Sequence, residues 1–469
     1  MPPRTSNAAD PAPTPAEPRP ALRVAVLADS DTRWKWGALT ARRLTAGAAG
    51  PAEAAGEDER GARPVEVSGL LLRGRATPTP RQLAEVGEVG IDAEKVREVT
   101  AVEFLHTVRD ERYDVVVLAL VGGGVQAMLH GLAALDLERR PVIVTGYVGV
   151  VYEKLADGLL LRHGADVVLA NSAHDAERFR AVYEGVGADA SAVTEAALPF
   201  LGGAPYRAEE GRDTVVFAAQ PSVPASRADR TYLLRRLVEH ARLHPRREVL
   251  LKLRSKPGEH TTHIEELPYQ KLAQKVPGGL PPNFRLVYGH MGEVLDRTDL
   301  LVTVSSTAAL ESLHRRIPTA VLTDLGVREP LGNHHFVGSG LLTSWDRLDG
   351  GYRPRPDGQW LAGQGVAADG SYSTAYDTAR AKVAALLDSG QLLPLAPYYT
   401  PATAPGYLPG ILARHHLAPD GTPLPGAAAP QETGRVRGAV RETVRNAARG
   451  AYRHGVQRVA PVIRRMGEL

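Results

Sequence analysis

Three consecutive hydroxyl residues, Ser305, Ser306 and Thr307, follow an apolar run and precede an amphipathic segment. This order predicts a strand that ends at the triplet and a helix that begins near Ser306. The first turn of a helix offers unpaired N–H groups and a partial positive charge, which suit a donor phosphate. Glu311 lies one turn below Thr307 and could hold sugar or ribose hydroxyls. The alternative is that Ser305 or Ser306 is only a helix N-cap.

A second group of candidate residues is cationic. Lys252, Arg254 and Lys256 alternate at the end of an apolar run, so as strand residues they project to one side. Cations at a strand end could neutralise the donor phosphate in place of a metal ion, although a solvated basic edge strand has the same pattern. His260 and His263 follow, and we regard His263 as a candidate acid for the leaving phosphate.

Four residues after the first apolar run could serve an acceptor. Asp29 and Asp31 are candidate bases for removing a proton from an acceptor hydroxyl. Trp34 and Trp36 could stack on sugar rings, because indole faces are flat and apolar. The alternative interpretation makes an aspartate a helix cap and Trp34 a core residue.

Three glycines, Gly122, Gly123 and Gly124, follow the most apolar run and open a helical pattern. Their backbone would allow an acceptor to approach closely, so they are further candidate acceptor-binding residues. The chain has neither G-x-G-x-x-G spacing nor a P-loop lysine here, which excludes a dinucleotide-binding fold and a P-loop NTPase.

Composition limits the classes of protein to which the chain can belong. Its 469 residues, 43% of them hydrophobic, are enough for two domains and terminal extensions. It has no cysteine, which excludes disulfides, thiol catalysis and metal–thiolate sites. The formal net charge of +3 is too small to indicate a nucleic-acid partner. No uncharged apolar run reaches about 18 residues, so no transmembrane helix is expected.

Short apolar runs alternate with amphipathic segments in both halves of the chain, which predicts α/β architecture: two Rossmann-like doubly wound domains in tandem. Ligands of such sheets bind beyond the carboxyl ends of the strands, so the active site is expected in the interdomain cleft. The predicted strands are Arg23–Ala28, Val65–Leu72, Asp114–Leu120, Pro141–Thr145 and Ala165–Ala170, then Thr214–Ala219, Glu248–Leu253, Phe284–Tyr288, Leu300–Val304 and Thr319–Thr323.

The remaining segments complete the predicted organisation. The tail 434–469 places arginines opposite a stripe of Val and Ala at helical spacing, which suits an anionic membrane surface; docking on its own domain or on a partner is the alternative. The predicted parts are a disordered segment 1–21, an acceptor domain 22–208, a nucleotide-donor domain 209–395, a Pro-rich linker 396–433 and a basic amphipathic helix 434–469.

Three segments carry a resemblance to a known group: ADSDTRWKWG at 28–37, KLRSKPGEHTTH at 252–263 and VSSTAALE at 304–311. They resemble an uncharacterised actinobacterial glycosyltransferase family. The wider architecture is similar to GT-B glycosyltransferases, including polysialyltransferases, capsule-polymer enzymes and CDP-glycerol glycerophosphotransferases. The resemblance covers about residues 22–342 and implies that the hydroxyl-rich helix start binds the donor phosphate. A His-Pro pair of that group is replaced here by Arg254-Ser-Lys-Pro257.

The expected function is a metal-independent, inverting glycosyltransferase without a cofactor. It would transfer a sugar from a nucleotide-activated donor to a cell-envelope polysaccharide or glycolipid, at the cytoplasmic face of the plasma membrane. The resemblance to polysialyltransferases implies a CMP-linked nonulosonic acid as the first donor to test, with UDP-sugars open. Two other interpretations are a UDP-sugar 2-epimerase of the same architecture and a non-catalytic envelope-biosynthesis scaffold.

Overall fold

The computed structural model describes residues 21–45, 64–74, 76–84, 86–92, 95–150, 154–256, 267–366 and 371–426. Nearly all of the predicted disordered segment 1–21, both histidines at 260 and 263, and the predicted basic helix 434–469 lie outside these residues. No helix in the described part has the length and apolar character needed to cross a membrane.

The first parallel sheet has the strand order β3-β2-β1-β4-β5-β6-β7 within the described residues. This is the order of a doubly wound fold, in which β2 and β3 are added on one side of β1 and the strands from β4 onward on the other side. The strands are β1 Leu22–Ala28, β2 Val65–Leu72, β3 Arg97–Val99, β4 Val115–Ala119, β5 Val142–Gly146, β6 Val167–Ala170 and β7 Val193–Glu195.

Both faces of this sheet are covered, which explains why its central strands β4 and β6 are continuously apolar. In β1, Ala25 and Leu27 belong to one core cluster, whereas Val24 and Val26 belong to the cluster on the opposite face. The alternation follows from the period of two in a strand. The helices between these strands are α1 Asp31–Thr45, α2 Pro80–Ala84, α3 Ala101–Glu111, α4 Gly122–Ala134, α5 Leu155–Leu160 and α6 Ala173–Gly185.

The second parallel sheet repeats the pattern with the order β10-β9-β8-β11-β12-β13. Its strands are β8 Thr214–Ala218, β9 Glu248–Lys252, β10 Phe284–Val287, β11 Leu300–Thr303, β12 Thr319–Leu322 and β13 Leu342–Thr343. Its helices are α7 Arg227–Leu243, α8 Tyr269–Ala273, α9 Met291–Leu295, α10 Ala308–His314, α11 Trp345–Asp349 and α12 Gly358–Gly363. All ten predicted strands are present, with ends that differ by at most two residues, and the predicted pair of α/β domains is confirmed.

The chain returns to the first domain after the second sheet, which corrects the predicted boundaries. Helix α13, Asp377–Asp388, packs against α1, β5, β6 and β7. Helix α14, Leu408–Ala413, packs on α4, with Leu408, Ile411 and Leu412 buried in a core cluster of the first domain. The segment 396–426 is therefore not a linker but part of the first domain. Burial of apolar side chains against α4 holds this segment in place despite its high proline content.

An apolar cluster joins the two domains. Val150, Leu198 and Leu201 from the first domain pack with Leu310 and Leu313 of α10. The chain segment that follows Leu201 and joins the two domains is held by Arg315, whose Nε donates to Gly202 O at 2.7 Å.

The neighbouring Gly203 has φ +92°, and a Cβ there would lie 2.1 Å from the Arg315 guanidinium carbon. The tight connection therefore requires glycine at this position.

Candidate active site in the interdomain cleft

Each sheet has a side-chain link across its switch point, where the chain reverses strand order. In the first domain, Asp29 after β1 accepts a hydrogen bond from Val121 N after β4 at 3.0 Å, and a second from Arg33 Nη1 at 2.8 Å. In the second domain, Gln220 Oε1 after β8 accepts from Ser305 N after β11 at 3.1 Å. Polar groups thus mark the two crevices in which ligands of such sheets bind.

The two domains meet through an ion pair across the cleft. Arg254, just after β9, donates from Nη2 to Asp31 Oδ1 at 2.8 Å, and also to Thr32 Oγ1. Burial acts to raise the pKa of Asp31, but the Arg254 charge and hydrogen bonds from Thr32 and Arg254 lower it, and the net pKa is below its usual value. Asp31 is therefore ionised at neutral pH and held by a cation of the opposite domain.

The three predicted cations do not share one environment. Lys252 is only 8% exposed, and its Nζ donates to Leu253 O at 2.9 Å. Arg254 is half-buried and reaches the first domain, whereas Lys256 is exposed. The alternation along the chain therefore brings Arg254 to the domain interface and leaves Lys256 at the surface beyond it.

The hydroxyl triplet divides into a structural part and an accessible part. Ser305 is 2% exposed, and its Oγ donates to Leu331 O at 2.6 Å, so this hydroxyl is committed to the fold. Ser306 and Thr307 are half-buried. Helix α10 begins at Ala308, slightly later than predicted, and has seven residues with Thr307 as its N-cap.

Several amides of this turn already have partners. Ser306 N donates to Thr303 Oγ1 at 3.1 Å, and Ala308 N donates to Ser306 Oγ at 3.2 Å. Ala309 N and Leu310 N donate to backbone oxygens of the turn at 3.0 and 2.9 Å. The groups available for a phosphate are thus side-chain hydroxyls more than helix amides.

Thr307 lies directly against the first domain. A Cβ added to Gly149, in the loop after β5, would lie 3.0 Å from Thr307 Oγ1. The loop is held by Asn171 Nδ2, which donates to Tyr147 O at 2.9 Å and to Gly149 O at 3.0 Å. The hydroxyl turn therefore faces the carboxyl end of β5 across the same cleft in which Asp31 meets Arg254.

Glu311 lies half-buried on α10, one turn after Thr307. Burial raises the pKa of Tyr372, the Arg43 charge opposes this, and the Glu311 carboxylate adds a smaller upward contribution. Glu311 therefore lies close enough to Tyr372 to act on it through its charge, at the interface of the two domains. Its contact with sugar or ribose hydroxyls stays a prediction.

The prediction that two indoles bind an acceptor is wrong for this structure. Trp34 and Trp36 on α1 are each 1% exposed and belong to the core. Each fills a hollow left by a glycine: a Cβ on Gly69 would lie 2.5 Å from the Trp34 ring, and one on Gly146 would lie 2.8 Å from the Trp36 ring. Burial of these large apolar rings stabilises the packing of α1 on the sheet and removes them from contact with a sugar.

Two of the three glycines that open α4 are crowded by the protein itself. A Cβ on Gly122 would lie 2.8 Å from Leu161 Cδ1, and one on Gly124 would lie 3.2 Å from Leu120 Cβ. A Cβ on Gly123 would lie 3.8 Å from Ile411 Cγ2 of α14, an ordinary van der Waals contact. Close packing of α4 therefore accounts for Gly122 and Gly124 without an acceptor.

A separate group of potential metal ligands lies at the amino end of the second sheet, away from the cleft. Ligand atoms of His240, His244 and Asp349 lie within 4.8 Å of one another. Arg247 donates to His240 Nε2 at 2.9 Å, and His240 Nδ1 lies 2.5 Å from Asp349 Oδ1. Because an arginine only donates, the ring proton of His240 is on Nδ1. Both ring nitrogens thus link α7 to neighbouring segments, and we assign the group a structural role.

Two doubly wound sheets that face one cleft through polar strand ends define a GT-B fold. The chain belongs to the family described as "Putative glycosyltransferase (DUF6716)", whose model matches residues 24–386. The prediction of a GT-B glycosyltransferase is therefore confirmed for the fold, the family and the class of enzyme. A comparison with curated proteins finds no match.

The chain is also similar to several solved structures. One is UDP-GlcNAc 2-epimerase from Neisseria meningitidis bound to UDP-GlcNAc, with 10% identity, a TM-score of 0.49 and coverage of 78% of this chain and 100% of that chain. Another is the S. aureus MnaA–UDP co-structure, with 13% identity, a TM-score of 0.46 and coverage of 75% and 94%. The glycosyltransferase SnogD from Streptomyces nogalater has 16% identity, a TM-score of 0.43 and coverage of 79% and 100%.

Proposed function

We propose that the protein transfers a sugar from a nucleotide-activated donor to an acceptor hydroxyl within the interdomain cleft, without a metal ion. The observation that carries this proposal is the pairing of strand ends across the cleft. Arg254 meets Asp31 at 2.8 Å, and Thr307 lies against Gly149. An acid–cation pair and a hydroxyl turn therefore share one crevice, as transfer between a phosphate-bearing donor and a hydroxyl acceptor requires.

The donor phosphate is assigned to the second domain. The hydroxyls of Ser306 and Thr307 would donate to phosphate oxygens, while Arg254 and Lys256 would supply positive charge as the leaving group develops. The buried Ser305 would shape the turn. The buried Lys252, at the end of β9, would add positive charge near the phosphate. An arginine suits this role because its planar guanidinium can contact two phosphate oxygens at once.

Donor binding would also prepare the base. In the free protein Asp31 is paired with Arg254, which makes the carboxylate a weak proton acceptor. A donor phosphate that draws Arg254 away would raise the proton affinity of Asp31, so the carboxylate becomes a better base once the donor is bound.

The acceptor oxygen would then attack the anomeric carbon and pass its proton to Asp31. The bond from that carbon to the phosphate oxygen breaks, and the nucleotide leaves with the electron pair. Asp29 accepts hydrogen bonds on both carboxylate oxygens, whereas those of Asp31 fall on Oδ1, so Oδ2 of Asp31 is the preferred base and Asp29 a positioning residue.

The finer parts of the proposal concern the partners. We extend it to a CMP-linked nonulosonic acid as donor, with UDP-sugars as the alternative, and to a cell-envelope polysaccharide or glycolipid as acceptor. Association with the inner face of the plasma membrane would be mediated by residues 434–469, whose arginines alternate with Val and Ala. The resemblance of the sequence to polysialyltransferases supports this choice of donor.

Thermal melting with CMP, CDP and UDP tests the donor site. Saturating nucleotide stabilises a protein by about 2.7 kcal/mol at 100 times its dissociation constant, which gives a measurable rise in melting temperature. Ser306→Ala and Thr307→Ala should each reduce the rise. Thr107→Ala is the matched control, because its hydroxyl bonds only Glu103 O of its own helix.

The outcomes separate the candidate functions. A nucleotide shift that is lost in the Ser306 and Thr307 variants, together with slow hydrolysis of a nucleotide sugar, supports the transferase. Interconversion of UDP-sugar epimers would instead show an epimerase. No shift with any of the nucleotides would contradict the proposal and favour a non-catalytic scaffold.

A further inference from the structure

A cavity of about 360 Å³ lies between the domains. One wall comes from the first domain, with Val150 after β5 and Arg178 on α6. The other wall comes from the second domain, with His335 after β12 and Trp360 and Gln364 at α12. We call it the α6–α12 cavity. Its volume is at the small end of the range of ligand pockets, roughly 300 to 1,000 Å³.

Two polar atoms in its lining have no hydrogen-bond partner among the described residues. Gln364 is 4% exposed, and its Oε1 is buried without a donor. His335 Nε2 is likewise buried and unpaired. An unpaired buried polar atom costs free energy, so a ligand group that reached either atom from the cavity would gain by completing its hydrogen bond.

The lining combines an aromatic surface with a positive charge. Trp360 is half-buried, and its ring lies 6.0 Å from that of His335. Burial and the charge of nearby Arg178 lower the pKa of His335 to about 4, so the imidazole is neutral at pH 7. Arg178 holds Asp175 at 3.9 Å, but five N–H donors allow a guanidinium to bind a further anion. No acidic residue lines the described part of this cavity.

The position of the cavity relates it to the donor turn. Val150 directly follows Gly149, which lies against Thr307, and α6 begins after β6, the neighbour of β5. The cavity therefore adjoins the loop that faces the hydroxyl turn. A sugar ring in the cavity would be placed to present a hydroxyl towards a donor at Thr307.

We propose that the α6–α12 cavity binds one sugar ring of the acceptor, and that this ring carries a carboxylate. The ring would stack on Trp360, its hydroxyls would hydrogen-bond Gln364 Oε1 and His335 Nε2, and its carboxylate would pair with Arg178. The assignment rests on the proposed transferase and replaces the acceptor contacts predicted for the buried tryptophans.

The test uses saturation-transfer difference NMR and titration with two probes, methyl β-D-glucuronide and methyl β-D-glucoside. Because they differ in one carboxylate, the wild-type protein should bind the glucuronide about tenfold more tightly, as expected for a charge-assisted hydrogen bond. Arg178→Gln should remove this preference. Arg180→Gln is the control on the same helix, since its charge acts instead on Lys382.

A second variant separates binding from folding. Gln364→Leu removes an acceptor that has no partner in the free protein, so its melting temperature should not fall. It should nevertheless weaken both glycosides, and Trp360→Ala should do the same through the lost stacking surface.

Equal binding of the two probes by the wild-type protein, or unchanged affinity in Gln364→Leu, would overturn the assignment. Nucleotide melting shifts are measured on the same samples. Shifts without glycoside binding would refute the cavity assignment alone. Glycoside binding without any nucleotide shift would leave the cavity as a sugar site and refute the transferase.

Discussion

The buried His240 makes the stability of the second domain depend on pH. His240 is fully buried, with Nδ1 hydrogen-bonded to Asp349 and Nε2 accepting from Arg247. A second guanidinium, Arg236, lies 2.8 Å from the same Asp349. Protonating the ring would break the Arg247 hydrogen bond and place a third cation in this group. Burial, opposed by the hydrogen bond to Asp349, lowers the pKa of His240 to about 4.

The size of the effect follows from this pKa. An unfolded histidine has a pKa of about 6.5, and each tenfold change in proton affinity is about 1.4 kcal/mol, so the full contribution is about 3 kcal/mol. The folded-state pKa is depressed, so the unfolded chain takes up a proton first as pH falls. The stabilisation is therefore complete above pH 6.5 and is lost between pH 6.5 and about 4. About 2 kcal/mol should be lost between pH 7.5 and 5.0.

Urea denaturation of the wild-type protein and of His240→Gln, at pH 7.5 and 5.0, measures this loss. Tryptophan fluorescence is a suitable signal, because the Trp345 ring lies 5.3 Å from His240. The free energy of unfolding of the wild-type protein should fall more steeply with acid than that of the variant, by about 2 kcal/mol. His106→Gln, on α3 of the first domain, controls for the removal of one histidine. Equal slopes for the wild type and His240→Gln would refute the neutral, buried imidazole.

Two further predictions concern the cleft and the tail. Arg254→Gln leaves the partly buried Asp31 carboxylate without its cation, so the pKa of Asp31 should rise, while transfer should slow because the donor phosphate loses the guanidinium. Arg254→Lys, which restores the charge without the planar fork, should recover part of the rate. An NMR titration of Asp31 and a kcat/KM measurement check this, and an unchanged pKa in Arg254→Gln would contradict the pairing. Deleting residues 434–469 should release the protein from anionic vesicles in a flotation assay, and equal retention of the truncated protein would exclude the tail as a membrane anchor.

The main strands were predictable because each is a continuous apolar run between polar turns, as in β4, Val115–Ala119. Three short strands, β3, β7 and β13, were not predicted, since two or three residues carry too little periodic pattern. The strand ends also place the cleft correctly: Asp31, Arg254 and Thr307 all follow strands, and carboxyl ends of parallel strands share one edge of a sheet.

The direction of individual side chains could not be read from the sequence. Trp34 and Trp36 are buried because Gly69 and Gly146, far along the chain, leave room for their rings. Ser305 differs from its neighbour Ser306 only through contacts to distant segments, among them Leu331. Such long-range contacts decide which of several similar residues remains open to a ligand.

The Pro-rich segment after residue 393 contains a helical pattern that its proline-rich composition made easy to overlook. Leu408, Ile411 and Leu412 have the spacing of one helical face, and this face packs on α4. The cavity residues Arg178, Trp360 and Gln364 had no comparable signal, because they come from two separated parts of the sequence that meet only in the fold.

The return of the chain to its first half has a mechanical consequence. The polypeptide passes from the first half to the second near Gly202 and is back in contact with the first half at Tyr372, whose hydroxyl donates to Leu198 O at 2.6 Å. Two chain connections define an axis, so we expect the halves to rotate about this axis. Other relative motions, such as translation of one half along the other, would strain the connections. Opening should therefore be a hinge rotation about this axis, and the substrates should enter at the side of the cleft that is farthest from the two connections.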